Sequence, residues 1–154
     1  MMERRQFLIG GAATAGFAML AGPALGSQPA DFTMWHSPGC GCCLQWLPRV
    51  EAAFRRKVRV IEAPDMAAVK RLHGVPQDLH SCHTALIGGV VVEGHVPPAD
   101  IRRASNMRGR RFQGLAVPGM PLGAPGMDVG HNQRETYQVI AFGGSGRSVF
   151  ARHG

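Results

Sequence analysis

All four cysteines of this chain lie in two short clusters, and each cluster touches a short apolar run. Ser37-Pro38-Gly39-Cys40-Gly41-Cys42-Cys43 follows the apolar run 32–36 and precedes an amphipathic stretch, while Ser81-Cys82-His83-Thr84 opens a second apolar run. A fold that brings the clusters together gathers up to four thiols and at least one imidazole. That is a soft-metal site, a redox site, or both.

Periodicity sets the elements around these clusters. Phe32-Thr33-Met34-Trp35-His36 reads as a strand that stops at Pro38-Gly39. From Cys42, the apolar residues Leu44, Leu47, Val50, Ala53 and Phe54 recur every three or four positions, which predicts a helix with one buried stripe. Pro48 lies inside that pattern and should kink the helix or delimit its first turn. Val58-Arg59-Val60-Ile61 predicts a second strand, and a second helix runs to Leu72 with Asp65 as its N-cap and Gly74 as its stop. Residues 84–87 and 90–94, joined by Gly88-Gly89, predict a β-hairpin. A short helix begins at Pro97-Pro98 and ends near Asn106; residues 109–133 read as a Gly/Pro/Met-rich loop, and residues 136–150 as a terminal hairpin.

The order strand, cysteine turn, helix, strand, helix, hairpin, helix is that of a thioredoxin-like α/β domain, here a single domain with a C-terminal Met/Gly/Pro-rich loop and β-hairpin extension. Cys40 and Cys43 have the Cys-x-x-Cys spacing at the turn where such domains carry their redox pair. Cys82-His83-Thr84 occupies the position where that fold packs a loop against the cysteine turn, so the Cys82 thiol and the His83 imidazole are expected to face Cys40.

The first residues read as an address. Arg4-Arg5 followed by Phe7-Leu8, a Gly/Ala-rich apolar segment and the small residues Ala24-Leu25-Gly26 resemble a twin-arginine export signal. Cleavage is expected near residue 26, leaving 27–154 as one periplasmic domain with no stable membrane span. Residues 1–26 hold Arg4, Arg5 and Glu3, so the remaining chain keeps all but one unit of the formal charge of +7. Its basic residues are scattered and the chain has a single tyrosine, a pattern that fits a solvated surface and not a nucleic-acid interface. In an oxidising periplasm, paired thiols become disulfides unless a metal or a reductase holds them open.

Four stretches together resemble one family: Ser37 to Cys43, then Val75-Pro76 with Ser81-Cys82-His83-Thr84-Ala85, then Glu93-Gly94-His95-Val96-Pro97, then Gly114-Leu115-Ala116-Val117-Pro118-Gly119-Met120-Pro121. It is the periplasmic copper-resistance family of CopG type, which consists of thioredoxin-like proteins. The resemblance covers nearly all of the chain after residue 26, in the expected order. It implies copper ions, Cu(I) or Cu(II), at the cysteine and Cys-His clusters, redox handling of that copper, and dealings with other periplasmic copper-handling proteins.

The residues suit that implication. Cu(I) takes two to four thiolate, thioether or imidazole ligands, and bridging thiolates let several ions share a few sulfurs. Cys40 and Cys43 can face one side of the helix start, Cys42 points elsewhere and can extend the site, and Cys82 with His83 adds a thiolate and an imidazole. His36, four residues before Cys40, is a ligand or a support for one. His95 reads as a stabiliser of the loop after the hairpin, and His73, His80, His131 and His153 read as surface residues. Met120 and Met127 are either thioether ligands or packing residues under a loop. Trp35 and Trp46 flank the cysteine turn and are expected to shield it.

Other readings use the same residues. A thiol–disulfide oxidoreductase needs only Cys40 and Cys43 as its catalytic pair, and leaves Cys42 and Cys82 to form competing disulfides. Structural zinc is satisfied by Cys₃His or Cys₄, although the Cys-x-Cys-Cys spacing fits one tetrahedron poorly. A purely stabilising Cys40–Cys43 disulfide leaves Cys42, Cys82 and His83 without a role.

Overall fold

The computed structural model describes residues 31–130 and 132–154, and the expected leader 1–26 lies outside them. One sheet of seven strands runs through these residues in the order β2-β1-β3-β4-β5-β6-β7. The strands are β1 (Thr33–His36), β2 (Arg59–Glu62), β3 (His83–Ile87), β4 (Val90–Glu93), β5 (Gly114–Ala116), β6 (Tyr137–Gly143) and β7 (Gly146–His153). Three α-helices join them: α1 (Gly41–Phe54), α2 (Met66–Leu72) and α3 (Pro98–Asn106). No helix among the described residues is long and apolar enough to cross a membrane.

The period-two alternation of the strands divides the molecule into two faces. Met34 in β1, Ala85 and Ile87 in β3, and Val90 and Val92 in β4 point toward α1 and α3, where Trp46, Val50, Ile101 and Ala104 complete the main core. The other face carries a smaller cluster of Val75, Leu79, Val91, Ala116 and Phe142. The buried stripe of α1 is Cys43, Trp46 and Val50, not the expected run from Leu44. Of that run only Val50 is buried; Leu47, Ala53 and Phe54 are half-buried, and Leu44 is exposed. Fully burying such a side chain contributes about 1.5–3 kcal/mol. The helix runs through Pro48 as one element. The proline leaves only the Leu44 carbonyl without its usual helical donor.

Asp65 caps α2 as expected, accepting from the Ala68 N–H at 2.9 Å. The β3–β4 hairpin turns at Gly88-Gly89, both with positive φ.

One strand departs from the sequence reading. Residues 114–116, expected in a loop, form β5, which pairs parallel to β4 and antiparallel to β6 and so splices the terminal hairpin onto the sheet. Three residues beginning with glycine carry no readable alternation. Gly114 is required by close packing: a Cβ there would lie 2.4 Å from the Phe142 ring and 2.5 Å from the Val91 carbonyl oxygen.

Candidate metal centre

The cysteine turn connects the end of β1 to the start of α1, and Cys40 is the N-cap residue of that helix. Cys40 and Cys43 are joined as a disulfide with Cα atoms 5.5 Å apart, while Cys42 and Cys82 are free thiols. The Cys42 sulfur lies 3.6 Å from that of Cys40. Cys82 reaches the turn from the residue before β3, and all four sulfurs lie within 4.8 Å of one another. The two clusters of the sequence therefore meet.

Cys82 also belongs to a second group. It, His83 and His95 each place a ligand atom within 4.8 Å of the others. The Cys82 sulfur is 3.3 Å from His83 Nδ1. The His83 ring packs 4.5 Å from that of Trp46 and 5.2 Å from that of His95. His95 Nδ1 donates to the Pro125 carbonyl at 2.7 Å, which fixes its tautomer and leaves Nε2 with a lone pair. The Nε2 atoms of His83 and His95 are buried without a hydrogen-bond partner. A buried imidazole with one nitrogen oriented by a protein group and the other left bare is the form in which histidine ligates metals.

The protonation states agree with that form. Burial holds His83 well below the usual imidazole range, and neighbouring positive charge, on His95 or His36 when protonated and on Lys70, acts in the same direction. His95 is also lowered by burial, against the opposing pull of its bond to Pro125. Both rings are neutral near pH 7. Burial, followed by the neighbouring Cys42, pushes the Cys82 thiol up to about 12. Cys82 thus keeps its proton until a cation takes the proton's place.

A loop closes over the site. Trp46 Nε1 donates to the Val96 carbonyl at 2.9 Å, and Gly126 lies so close to α1 that a Cβ would come within 2.8 Å of the Trp46 backbone nitrogen. Asp128 receives both Arg49 guanidinium nitrogens at 2.7 Å, so Met127 sits between two residues held against α1. Met120 is 53% exposed and follows Gly119, whose carbonyl accepts from the Ser81 hydroxyl beside Cys82. His36 stands opposite His83 in the β1–β3 register and donates through Nδ1 to the Ser37 carbonyl. It belongs to neither ligand group.

Three residues fall differently from the sequence reading. Trp46 covers the site, but Trp35 lies against His73 with ring centroids 4.6 Å apart, on the face of Thr84 and away from the imidazoles. His73 is accordingly buried and not a surface residue. His95, expected to steady the loop after the hairpin, instead bonds to Pro125 of the later Gly/Pro/Met-rich loop and brings a ring nitrogen within 4.8 Å of ligand atoms of Cys82 and His83. Its position one residue past the Gly94 turn was the available signal, since Gly94 N–H bonds back to the His83 carbonyl at 2.9 Å.

Residues 79–127, which include Cys82, His83, His95, Met120 and Met127, match a family described as "Protein of unknown function, DUF411". Two solved structures, named copper resistance protein CopG form 2 and form 1, are each 43% identical to this chain with a TM-score of 0.71. The match covers 82% of this chain in both cases, and 100% and 98% of the respective solved chains. No curated protein matches.

Proposed function

The chain belongs to the CopG family of copper resistance proteins, and on that premise we propose that it is a periplasmic protein that binds copper through Cys40, Cys42, Cys43, Cys82, His83 and His95. The observation that carries this reading is the double membership of Cys82, whose sulfur joins a four-sulfur group to a two-imidazole group. A bridging thiolate with soft partners on one side and borderline partners on the other suits copper in either oxidation state. Tetrahedral zinc needs four ligands, which the Cys82, His83 and His95 group does not reach alone and the four-sulfur group reaches only with its disulfide reduced, and the family premise favours copper. Met120, exposed at the rim, offers a thioether to arriving Cu(I). Met127 caps the site from the loop, and His36 supports His83 from the neighbouring strand.

The Cys40–Cys43 disulfide supplies the redox element of the proposal. Two Cu(I) ions giving one electron each convert the disulfide to two thiolates and leave two Cu(II) ions; the reverse reaction re-forms the sulfur–sulfur bond. The protein thereby shifts the oxidation state of copper that it sequesters or passes on. The strand order β2-β1-β3-β4, with β1 and β2 parallel and β3 reversed, supports a thioredoxin-like domain over residues 27–154, extended by β5 to β7. The paired arginines of residues 1–26 support export by the twin-arginine route.

The test is copper per chain, together with thiols protected from alkylation, in protein purified anaerobically from copper-supplemented cells. At least one ion per chain is expected, lost when Cys40 and Cys43 are both replaced by serine; undiminished binding by that variant contradicts the reading. The disulfide at the start of α1 also favours a second reading, a thiol–disulfide oxidoreductase. Turnover of a protein disulfide by metal-free protein with a cycling reductant supports it, and no turnover counts against it.

A further inference from the structure

Beneath the Cys82-His83 turn, on the opposite face of β3 and β4 from the imidazoles, lies a buried ion pair that no ligand role explains. Glu93 is fully buried and Lys70 is 5% exposed. Lys70 Nζ donates to Glu93 Oε1 at 2.5 Å and to Thr84 Oγ1 at 3.3 Å. The Thr84 hydroxyl donates to Glu93 Oε2 at 2.7 Å, and the Ser81 N–H donates to Glu93 Oε1 at 2.6 Å. One carboxylate therefore grips the chain immediately before Cys82 and immediately after His83.

The same residue is tied to the other imidazole. Glu93 ends β4 opposite Thr84 in the register, and the chain continues through Gly94, at φ +71°, to His95. A Cβ at Gly94 would meet the Ser81 side chain and the Val117 carbonyl, so this corner has one tight packing. Fixing Glu93 against Ser81 and Thr84 fixes Cys82 and His83 relative to His95.

A buried ion pair is a poor device for stability, because desolvation offsets most of its attraction and an apolar pair of similar volume serves as well. Its value must lie in what it holds. We propose that Glu93, neutralised by Lys70, is a positioning residue that sets the spacing of Cys82 and His83 against His95 through the sheet, and so completes the Cys/His half of the copper site. This inference rests on the copper reading.

Two double variants separate positioning from folding. Lys70→Met/Glu93→Leu replaces the pair with apolar side chains of similar size and removes the acceptor of the Ser81 N–H. Lys70→Met/Glu93→Gln also removes both charges, but keeps an acceptor for Ser81 and gains a donor to the Thr84 hydroxyl. Each is checked for fold by circular dichroism, and amide hydrogen exchange at residues 81–84 is followed in metal-free protein. Cu(I) is then titrated anaerobically into the reduced chain against a chromogenic Cu(I) chelator.

The leucine variant is expected to lose exchange protection at residues 81–84 and to bind Cu(I) about 10–100-fold more weakly, the usual effect of losing a group that orients a ligand. The glutamine variant is expected to keep its protection and to bind within about threefold of wild type, well inside that range. Equal behaviour of the two folded variants, whether both retain or both lose these properties, overturns the proposal. Wild-type protein that takes up no Cu(I) contradicts the copper reading instead, and the exchange comparison then decides the positioning role alone.

Discussion

Replacing His83 by leucine should make the metal-free protein more stable while destroying its response to copper. In the metal-free protein His83 is fully buried, and its Nε2 has no partner. An unsatisfied buried polar atom costs about 1–3 kcal/mol, whereas the Nδ1 contact to the Cys82 sulfur is worth at most about 0.5–1.5 kcal/mol. Leucine of similar volume removes both and keeps the packing against Trp46. The balance is about 1 kcal/mol in favour of the variant, or about 4 °C in Tm for a domain of this size.

Acid should widen the gap. The His83 pKa is lowered by burial, so between its folded value and about 6.5 the unfolded chain binds the extra proton. Stability then rises with pH through that window and is lost as pH falls. Between pH 7 and 5 this one ring costs the wild type up to about 2 kcal/mol, which the leucine variant does not pay. The assay is thermal unfolding of both proteins at pH 7 and pH 5, with a chelator and with one equivalent of Cu(I). A leucine variant less stable than wild type without metal, or a gap that narrows in acid, would refute the reasoning. So would an equal rise in Tm for both proteins on adding copper.

Two further outcomes follow from other parts of the structure. Gly114→Ala forces a methyl into Phe142 and the Val91 carbonyl and should cost about 1–3 kcal/mol in chemical denaturation; an unchanged midpoint would show that β5 is not packed as described. Because Cys82 is held near 12, Cu(I) binding to reduced protein at pH 7 should release a proton from this thiol. Calorimetry in buffers of different ionisation enthalpy should detect that release, and Cys82→Ser should reduce it.

Much of this was legible in the sequence because the signals were local. The spacing of Leu44, Leu47, Val50 and Phe54 is a helix period, although the face it buries is that of Cys43, Trp46 and Val50; Asp65 three residues before Ala68 is a cap, and Gly88-Gly89 between apolar runs is a turn. The meeting of Cys40, Cys42, Cys43 and Cys82 followed from placing one cluster after β1 and the other before β3, strands that the structure pairs directly. The remainder depended on contacts far apart in the chain. β5 exists because β4 and β6 offer it partners on both sides, which three residues starting with glycine do not announce. His73, at the C-terminal end of α2, is buried against Trp35 of β1. His95 becomes a candidate ligand because the fold brings it beside Cys82 and His83, while Pro125, thirty residues later, bonds its Nδ1 and its Nε2 stays buried without a partner. The Glu93–Lys70 pair was invisible for the same reason: Glu93 opens one of the recognised stretches, but nothing local announces that its carboxylate meets Lys70 on α2.

The most direct test of the central claim is X-ray absorption at the copper edge of the loaded wild-type chain. A site bridged by Cys82 predicts both sulfur and imidazole scattering around copper, with the imidazole component lost in the His83→Leu/His95→Leu double variant and the sulfur component retained. A shell of nitrogen and oxygen alone, or a spectrum unchanged in that double variant, would contradict a copper centre shared between the cysteine turn and the two buried histidines.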